Sequence, residues 1–124
     1  MEAFLNEPVC KRIKNMVKSI GVSPRINCAD YSRMKLDQET TAILEETIEK
    51  YFHNYKHNIL YLDPKLNDSE MLLCNLYLLG LNNNQISVLT QNHYSTIFRK
   101  TKKLEKKLDD GVTLSDFINQ TAIL

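Results

Sequence analysis

The sequence predicts an all-α protein. Apolar side chains recur every three or four residues along most of the chain, which is the spacing of one face of an amphipathic helix. No segment shows the alternation of apolar and polar residues that marks a half-buried strand. The 124 residues include only three glycines and three prolines, which are too few for a turn-rich β fold. We therefore expect six or seven helices.

The first predicted helix spans residues 7–20. Pro8 suits its first turn, because a proline there gives up no intrahelical hydrogen bond. Gly21 ends the helix, and Pro24 confirms the break. Residues 21–36 show no sustained period. We expect a long connection, with one helical turn near 29–32, that packs onto the body or binds something.

Two more helices are predicted between residues 37 and 63. Asp37 is a good N-cap for the first of them, and an apolar stripe runs along it from Ile43 to Phe52. A short second helix follows. Asp63 ends that helix, because the residue before Pro64 is pushed out of the helical conformation.

Residues 66–108 read as three short helices joined by tight turns. Asn67 or Asp68 caps the first helix, which runs to about Leu79 and is apolar almost all round. Such a helix is buried on most sides, or packs against a second lobe. Gly80 supplies its left-handed C-cap.

The second and third of these helices flank an inner turn at residues 90–93. Asn82 or Asn83 caps the second, and the third begins near Tyr94. Apolar positions at i, i+4, i+7 and i+11 give the third helix one buried stripe: Ile97, Thr101, Leu104 and Leu108. Beyond it, Thr113 and Asp116 form a capping-box variant that begins a C-terminal helix.

The composition is that of a soluble globular protein, with 43% hydrophobic and 25% charged residues. The length favours one domain, with room for a smaller lobe. No run approaches the roughly 18 apolar residues of a membrane helix, so we expect no membrane insertion. The first residues lack the apolar core of a signal peptide. Cys10, Cys28 and Cys74 form neither a disulfide framework nor a zinc spacing, and we expect reduced thiols in the cytoplasm.

The net charge is only +1, but it is unevenly distributed. Residues 92–108 carry six basic side chains and one acidic one, a local charge of +5. Residues 1–91 carry −1 and residues 109–124 carry −3. A nearly neutral protein can therefore present one helix face that attracts anions.

The stretch from Leu66 to Leu108 resembles a known domain. Leu66-Asn67-x-x-Glu70, Leu73, Leu76 and the segment GLNNNQI from Gly80 to Ile86 resemble the C-terminal helix-turn-helix domain of LuxR-type regulators, which is related to region 4 of bacterial sigma factors. His93-Tyr94-Ser95-Thr96-Ile97 stands where that family begins its recognition helix, and Leu108 closes the basic helix. The resemblance covers about residues 64–120. The upstream half is similar to the helical segment that precedes this domain in a bacterial group of regulators, where the pair often ends a longer protein.

This resemblance implies a trihelical helix-turn-helix core plus a C-terminal helix. It divides the chain into a helical N-terminal segment, 1–63, for packing or dimerisation, and a DNA-binding domain, 64–124. Residues in the N-terminal half of a recognition helix reach base edges. By alignment to the family, the groove-facing positions are Phe98, Arg99 and Lys102. Arg99 is the best base reader, since its fork matches a guanine edge. The expected DNA contacts are Asn83, Asn84, His93, Tyr94, Ser95, Thr96, Phe98, Arg99, Lys100, Lys102, Lys103 and Lys106.

Two other interpretations stay open. The basic helix can be an ordinary solvated face, since lysine-rich exposed helices are common. The fold can also serve as a protein-interaction module that docks on RNA polymerase or a partner regulator without reading DNA. Thr90 and Asn92 depart from the family pattern, and the acidic tail and Phe98 also favour this alternative. Phe98 itself either touches a thymine methyl or an interface, or packs at the edge of the core.

No pattern predicts an enzyme, a metal site or a cofactor. The chain has no glycine-rich phosphate loop and no nucleophile elbow. His53 and His57 have a metal-compatible spacing but no supporting ligand. Glu45, Glu46 and Glu49 lie on the outer face of a predicted amphipathic helix, where solvated carboxylates are usual.

The sequence therefore predicts a cytoplasmic bacterial transcriptional regulator that reads double-stranded DNA through the major groove with the basic helix 94–108. One helix-turn-helix domain of this size makes few base contacts, so we expect a homodimer on two half-sites, with RNA polymerase as a further candidate partner. The helices predicted over residues 8–20, 38–52 and 69–79 offer apolar faces for that dimer.

Overall fold

The computed structural model describes residues 1–123. The chain is 68% helical, and the described residues contain no strand, which confirms the all-α fold class. The helices, in chain order, are α1 (Glu2–Leu5), α2 (Pro8–Val17), a 3₁₀ helix (Cys28–Met34), α3 (Gln38–Tyr51), α4 (Tyr55–Leu62), α5 (Asp68–Leu78), α6 (Asn83–Thr90), α7 (Tyr94–Glu105) and α8 (Leu114–Ile123).

The N-terminus contains one helix that the periodicity does not reveal. Phe4 of α1 is fully buried, and its ring meets the rings of Tyr51 and Phe52 edge-on at centroid distances of 5.8 and 5.1 Å. Edge-to-face geometry suits the quadrupoles of aromatic rings. Four residues are too few to show a helical period, so the packing of Phe4 could not be predicted from spacing.

The predicted helix boundaries are close to those observed, because capping side chains set them. Asp37 accepts a hydrogen bond from the Thr40 N–H at 2.7 Å and begins α3. Asn67 and Asn82 each begin a helix with a full capping box, the first with Glu70 and the second with Gln85. Each box satisfies two N–H groups that have no partner within the helix. At the other end of α5, Gly80 has the expected left-handed conformation, with φ +80°.

Two boundaries differ from prediction. Helix α2 ends at Val17 rather than Ile20, and α7 ends at Glu105 rather than Leu108. Leu108 is only half-buried, so the buried stripe of α7 consists of Ile97, Thr101 and Leu104.

Helix α5 lies at the centre of the molecule. It contacts α3 on one side, α6 and α8 on others, and eight of its eleven residues are buried. The buried side chains of residues 1–63 and of residues 64–123 form one continuous core. The homodimer stays a prediction, although most apolar side chains of α2, α3 and α5 are covered by the chain's own helices. Ile43 of α3 is 41% exposed, whereas the following are at most 1% exposed: Cys10, Ile13, Leu44, Leu73 and Leu76.

Candidate nucleic-acid interface

Helix α7 presents one polar face to solvent. Its opposite face is anchored by Ile97, Thr101 and Leu104, which pack into the core. The exposed side chains on and beside its N-terminal half are His93, Ser95, Phe98, Arg99 and Lys102, and Lys103 and Lys106 continue the face. The burial pattern thus places most of the predicted contact residues on one surface, which we call the α7 face.

The turn between α6 and α7 is held by side-chain hydrogen bonds. Gln91 adopts a left-handed conformation with φ 55°, and its amide nitrogen donates to the Val88 carbonyl at 2.9 Å. The same nitrogen donates to the Cys28 carbonyl at 2.9 Å, which ties the turn to the 3₁₀ helix. The Ser87 hydroxyl donates to the Asn92 carbonyl, and the Asn92 N–H returns a bond to the Ser87 carbonyl at 3.2 Å.

These bonds account for two departures from the family pattern. Asn92 contributes its backbone to the turn, so an apolar side chain is not needed there. Thr90 is half-buried, and its hydroxyl donates to the Ile86 carbonyl at 2.8 Å. A residue that satisfies its hydroxyl within its own helix leaves no buried polar group unpaired. The polar side chains of this turn therefore have hydrogen-bond partners within the chain.

A buried polar link sets the rotation of α7 about its own axis. The Tyr77 hydroxyl on α5 donates to the Asn83 side-chain oxygen on α6, and it lies 2.9 Å from the Thr101 hydroxyl. A phenol has one proton to give, so Thr101 is the donor of the second bond. Burial raises the pKa of Tyr77, which keeps that proton in place. One hydroxyl thus fastens three helices to one another.

Asn84 is not available to DNA, contrary to the sequence prediction. Its side chain is 1% exposed. Its amide nitrogen donates to the carbonyls of Gly21 at 2.9 Å and Pro24 at 3.0 Å, and its oxygen lies 3.5 Å from the Ile26 N–H. In a helix-turn-helix alone this position would be at an open helix start. Here the loop after α2 covers it.

The other predicted residues differ in how far they reach solvent. Asn83, Tyr94, Thr96 and Lys100 are half-buried, and Asn83 is already engaged by Tyr77. Phe98 is 46% exposed, and the Lys102 ammonium lies 5.3 Å from its ring centroid. Phe98 is therefore a surface side chain. A depression of about 250 Å³ begins beside it, lined also by Tyr77, Thr113 and Ser115.

Four cations of the basic segment already have partners within the chain. Lys102 pairs with Glu105 at 3.2 Å, Lys107 with Asp63 at 2.9 Å and Lys103 with Glu70 at 4.0 Å. Lys100 donates to the Ser69 hydroxyl at 2.9 Å. Among residues 1–123, no carboxylate lies within 4.0 Å of Arg99 or Lys106. The Ser69 hydroxyl is neutral, so Lys100 keeps its charge, and the charge that no carboxylate offsets in the basic segment lies on Arg99, Lys100 and Lys106.

Arg25 joins the α7 face although sequence reasoning missed it. It is exposed, and its guanidinium carbon lies 4.4 Å from the ring centroid of Tyr94, over the first residue of α7. Its neighbours Pro24 and Ile26 both contact the Asn84 side chain. A cation over an aromatic face is a favourable contact. No local sequence pattern could have predicted this contact, because Arg25 lies in an aperiodic loop far from α7 in sequence.

The other residues weighed for chemistry lie apart from this face. The three cysteines are buried, and burial raises the pKa of Cys10 to about 11 and of Cys74 to about 12, so both stay thiols. Within residues 1–123, no cluster of three histidine, cysteine or carboxylate side chains has metal-binding geometry. Over that same span, no helix has both the length and the apolar character needed to cross a bilayer.

Comparisons with family models, with curated proteins and with solved structures found no match to this chain. The α7 face must therefore be interpreted from its own geometry and charge.

Proposed function

We propose that this protein is a transcriptional regulator that binds duplex DNA through the α7 face. The observation that carries the proposal is a basic helix whose apolar side is buried and whose N-terminal half is exposed. Twelve helical residues span about 18 Å, and a helix of that size enters a major groove. The fastened turn before α7 would hold it at a fixed angle, as a reader of base edges requires.

Arg99 is the base-reading residue in this proposal. It is exposed, it has no carboxylate partner among the described residues, and its guanidinium can donate to both acceptors of a guanine edge. Lys106 contacts phosphate farther along the helix. Ser95, Thr96 and His93 lie near the start of α7, where hydroxyl and imidazole groups also reach bases or phosphates.

The lysines that are paired with carboxylates contribute to DNA binding by exchanging those carboxylates for phosphates. Surface ion pairs are worth about 0–1 kcal/mol, so Lys102 can leave the partly exposed Glu105 for a phosphate at small cost. Lys103 is held at a longer distance, 4.0 Å, but its partner Glu70 is buried, so its release costs more. Lys107 is less available, because Asp63 is buried and the pair is short. Affinity that depends on a few phosphate contacts falls steeply with salt, by about a hundredfold between 50 and 200 mM for four contacts.

The N-terminal segment, residues 1–63, packs against the proposed DNA-binding domain and supports it. It is hydrogen-bonded to the start of α6, because the side chains of Asn82 and Gln85 donate to the carbonyls of Ile20 and Val17 at 3.2 and 2.9 Å. It also brings Arg25 to the α7 face. A homodimer on two half-sites remains part of the proposal. Its interface would use surfaces other than the buried sides of α2, α3 and α5. The proposal includes no catalytic activity and places the protein in the bacterial cytoplasm.

The decisive experiment measures fluorescence anisotropy of labelled random duplexes at low and at raised salt. The test variant carries Arg99→Glu and Lys106→Glu. The control carries Lys11→Glu and Lys14→Glu, which makes the same change in net charge on exposed positions of α2. We expect salt-sensitive binding that only the α7 variant loses. Absence of binding at low salt, or equal losses in both variants, would refute the proposal.

The α7 face also fits a second candidate function. Phe98 is exposed beside the depression that Tyr77 and Thr113 line, and exposed aromatic side chains mark protein interfaces. In this alternative the domain docks on RNA polymerase or a partner regulator and does not read DNA. Phe98→Ala would then abolish binding to purified RNA polymerase, whereas Arg99→Glu would leave it largely intact.

A further inference from the structure

One exposed aromatic ring lies among the cations of α7. Phe98 is the fifth of the twelve residues of this helix, and it is 46% exposed. Among residues 1–123, it is the only exposed large apolar side chain of α7. The ring borders the depression of about 250 Å³ that Thr113 and Ser115 also line, so α8 does not cover it. A ring at this position meets whatever the α7 face binds.

The side chains around this ring are polar or charged. Ser95 lies one helical turn before Phe98 and Lys102 one turn after it, and both are exposed. The Lys102 ammonium lies 5.3 Å from the ring centroid. Arg99, the next residue, is also exposed and has no carboxylate within 4.0 Å among residues 1–123. Lysine is depleted at protein interfaces, and charged residues are rare at their centres, whereas cations gain phosphate contacts in a DNA groove. The surroundings of Phe98 therefore favour DNA over a protein partner.

The major groove offers one apolar group to an aromatic side chain. Thymine carries a C5-methyl group on that edge, and guanine presents the acceptors N7 and O6, which an arginine can bind together. Successive bases of a strand are about 3.4 Å apart, and the Cα atoms of successive residues are about 3.8 Å apart. The side chains of Phe98 and Arg99 diverge by about 100° around the helix axis. They can therefore contact two neighbouring base pairs rather than the same one.

We infer that Phe98 packs against the C5-methyl group of a thymine, in the base pair next to the guanine that Arg99 binds. The two residues then select a step that contains both bases. This inference rests on the proposed function, because it requires duplex DNA on the α7 face. It adds a second specificity-determining residue and the base that this residue selects.

The test starts from a duplex selected from a random pool by the unaltered chain. In the labelled duplex each thymine is replaced in turn by uracil, which pairs in the same way and lacks only the methyl group. We expect steps with adjacent thymine and guanine to be enriched by the selection. Uracil at the thymine of that step should weaken binding about fourfold in anisotropy titrations, the value of burying one such carbon. Uracil at other thymines of the same duplex is the internal control.

Variants assign the methyl contact to Phe98. Phe98→Ala should bind the thymine and the uracil duplex with equal affinity. Its dependence on salt should match that of the unaltered chain, because no phosphate contact is lost. Tyr61→Ala is the matched control, since it removes an aromatic side chain that is 85% exposed on α4, and it should keep the full preference for thymine.

The outcomes separate this inference from the proposed function. Absence of duplex binding at low salt would overturn both. If the chain binds DNA and Arg99→Glu removes that binding, but uracil costs no affinity at any position, this inference alone is overturned. It is equally overturned if Phe98→Ala keeps the preference for thymine. It also fails if Phe98→Ala leaves DNA affinity intact and abolishes binding to purified RNA polymerase, because the ring then belongs to a protein interface.

Discussion

Replacing Asn84 by alanine tests how the N-terminal segment is joined to the reader. The side chain donates to the Gly21 and Pro24 carbonyls at 2.9 and 3.0 Å in a site that is 1% exposed. The third contact, from the Ile26 N–H at 3.5 Å, is too long to count for much. Two hydrogen bonds at a net value of about 1 kcal/mol each, together with a penalty for the carbonyls left unpaired, predict a loss of about 2–3 kcal/mol.

Urea unfolding followed by circular dichroism measures this loss. For a domain of this size the midpoint should fall by about 1–2 M with an unchanged slope. Asn15→Ala is the matched control, because Asn15 is exposed on α2 and its replacement should be neutral or slightly stabilising. A loss below about 0.5 kcal/mol for Asn84→Ala would refute the view that this residue fastens the loop.

The same substitution has a consequence for DNA. The loop that Asn84 holds carries Arg25 over Tyr94. If that loop is released, Arg25 is no longer held at the α7 face, and affinity should fall about as much as in Arg25→Ala. If Arg25→Ala leaves affinity unchanged while Arg99→Glu removes it, the DNA proposal survives and only the contribution of Arg25 is lost.

Three further predictions concern a carboxylate, a glycine and an ion pair. The hydrogen bond from Lys107 lowers the pKa of Asp63, so this contact stabilises the fold above the unfolded pKa and is lost as pH falls through the lower folded pKa. Asp63→Asn should therefore reduce the loss of unfolding free energy at acidic pH, as measured by chemical denaturation at a series of pH values. Asp110→Asn, on the exposed turn, should leave that loss unchanged. Gly80→Ala should cost about 1–2 kcal/mol in urea unfolding, because φ is +80° and no atom lies within 4 Å of the added carbon, so the cost is conformational alone; an equal cost for Gly21→Ala would contradict this reason. Glu105→Gln should raise DNA affinity a few-fold at low salt, because it frees Lys102, while the amide oxygen can still accept from the Leu114 N–H. Unchanged affinity in anisotropy titrations would contradict the idea that Lys102 leaves Glu105 to bind phosphate.

Local rules account for most of the secondary structure. A helix start needs a side chain that accepts from its own first turn, and Asp37, Asn67 and Asn82 each do this within three residues. The left-handed stop at Gly80 and the end before Pro64 depend on single residues as well. These interactions involve neighbours in sequence, so the sequence alone is sufficient to predict them.

The candidate site was predictable only in part. The buried stripe of α7 follows from periodicity, and so does the exposed position of Arg99. The burial of Asn84 does not, because its partners Gly21 and Pro24 are distant in the chain and lie in a loop without a pattern. An isolated helix-turn-helix domain has no such loop, so the resemblance predicts an exposed side chain at this position.

The sequence by itself determined the all-α class, the capped starts of α3, α5 and α6, and the concentration of positive charge on α7. Each of these depends on residue identity and spacing within one or two helical turns. Only the tertiary structure decided which faces stay exposed. It buried the apolar sides of α2, α3 and α5 in one core, paired Lys103 and Lys107 with Glu70 and Asp63, and brought Arg25 beside Tyr94. These contacts depend on how helices distant in sequence pack against each other, and no local spacing specifies that packing.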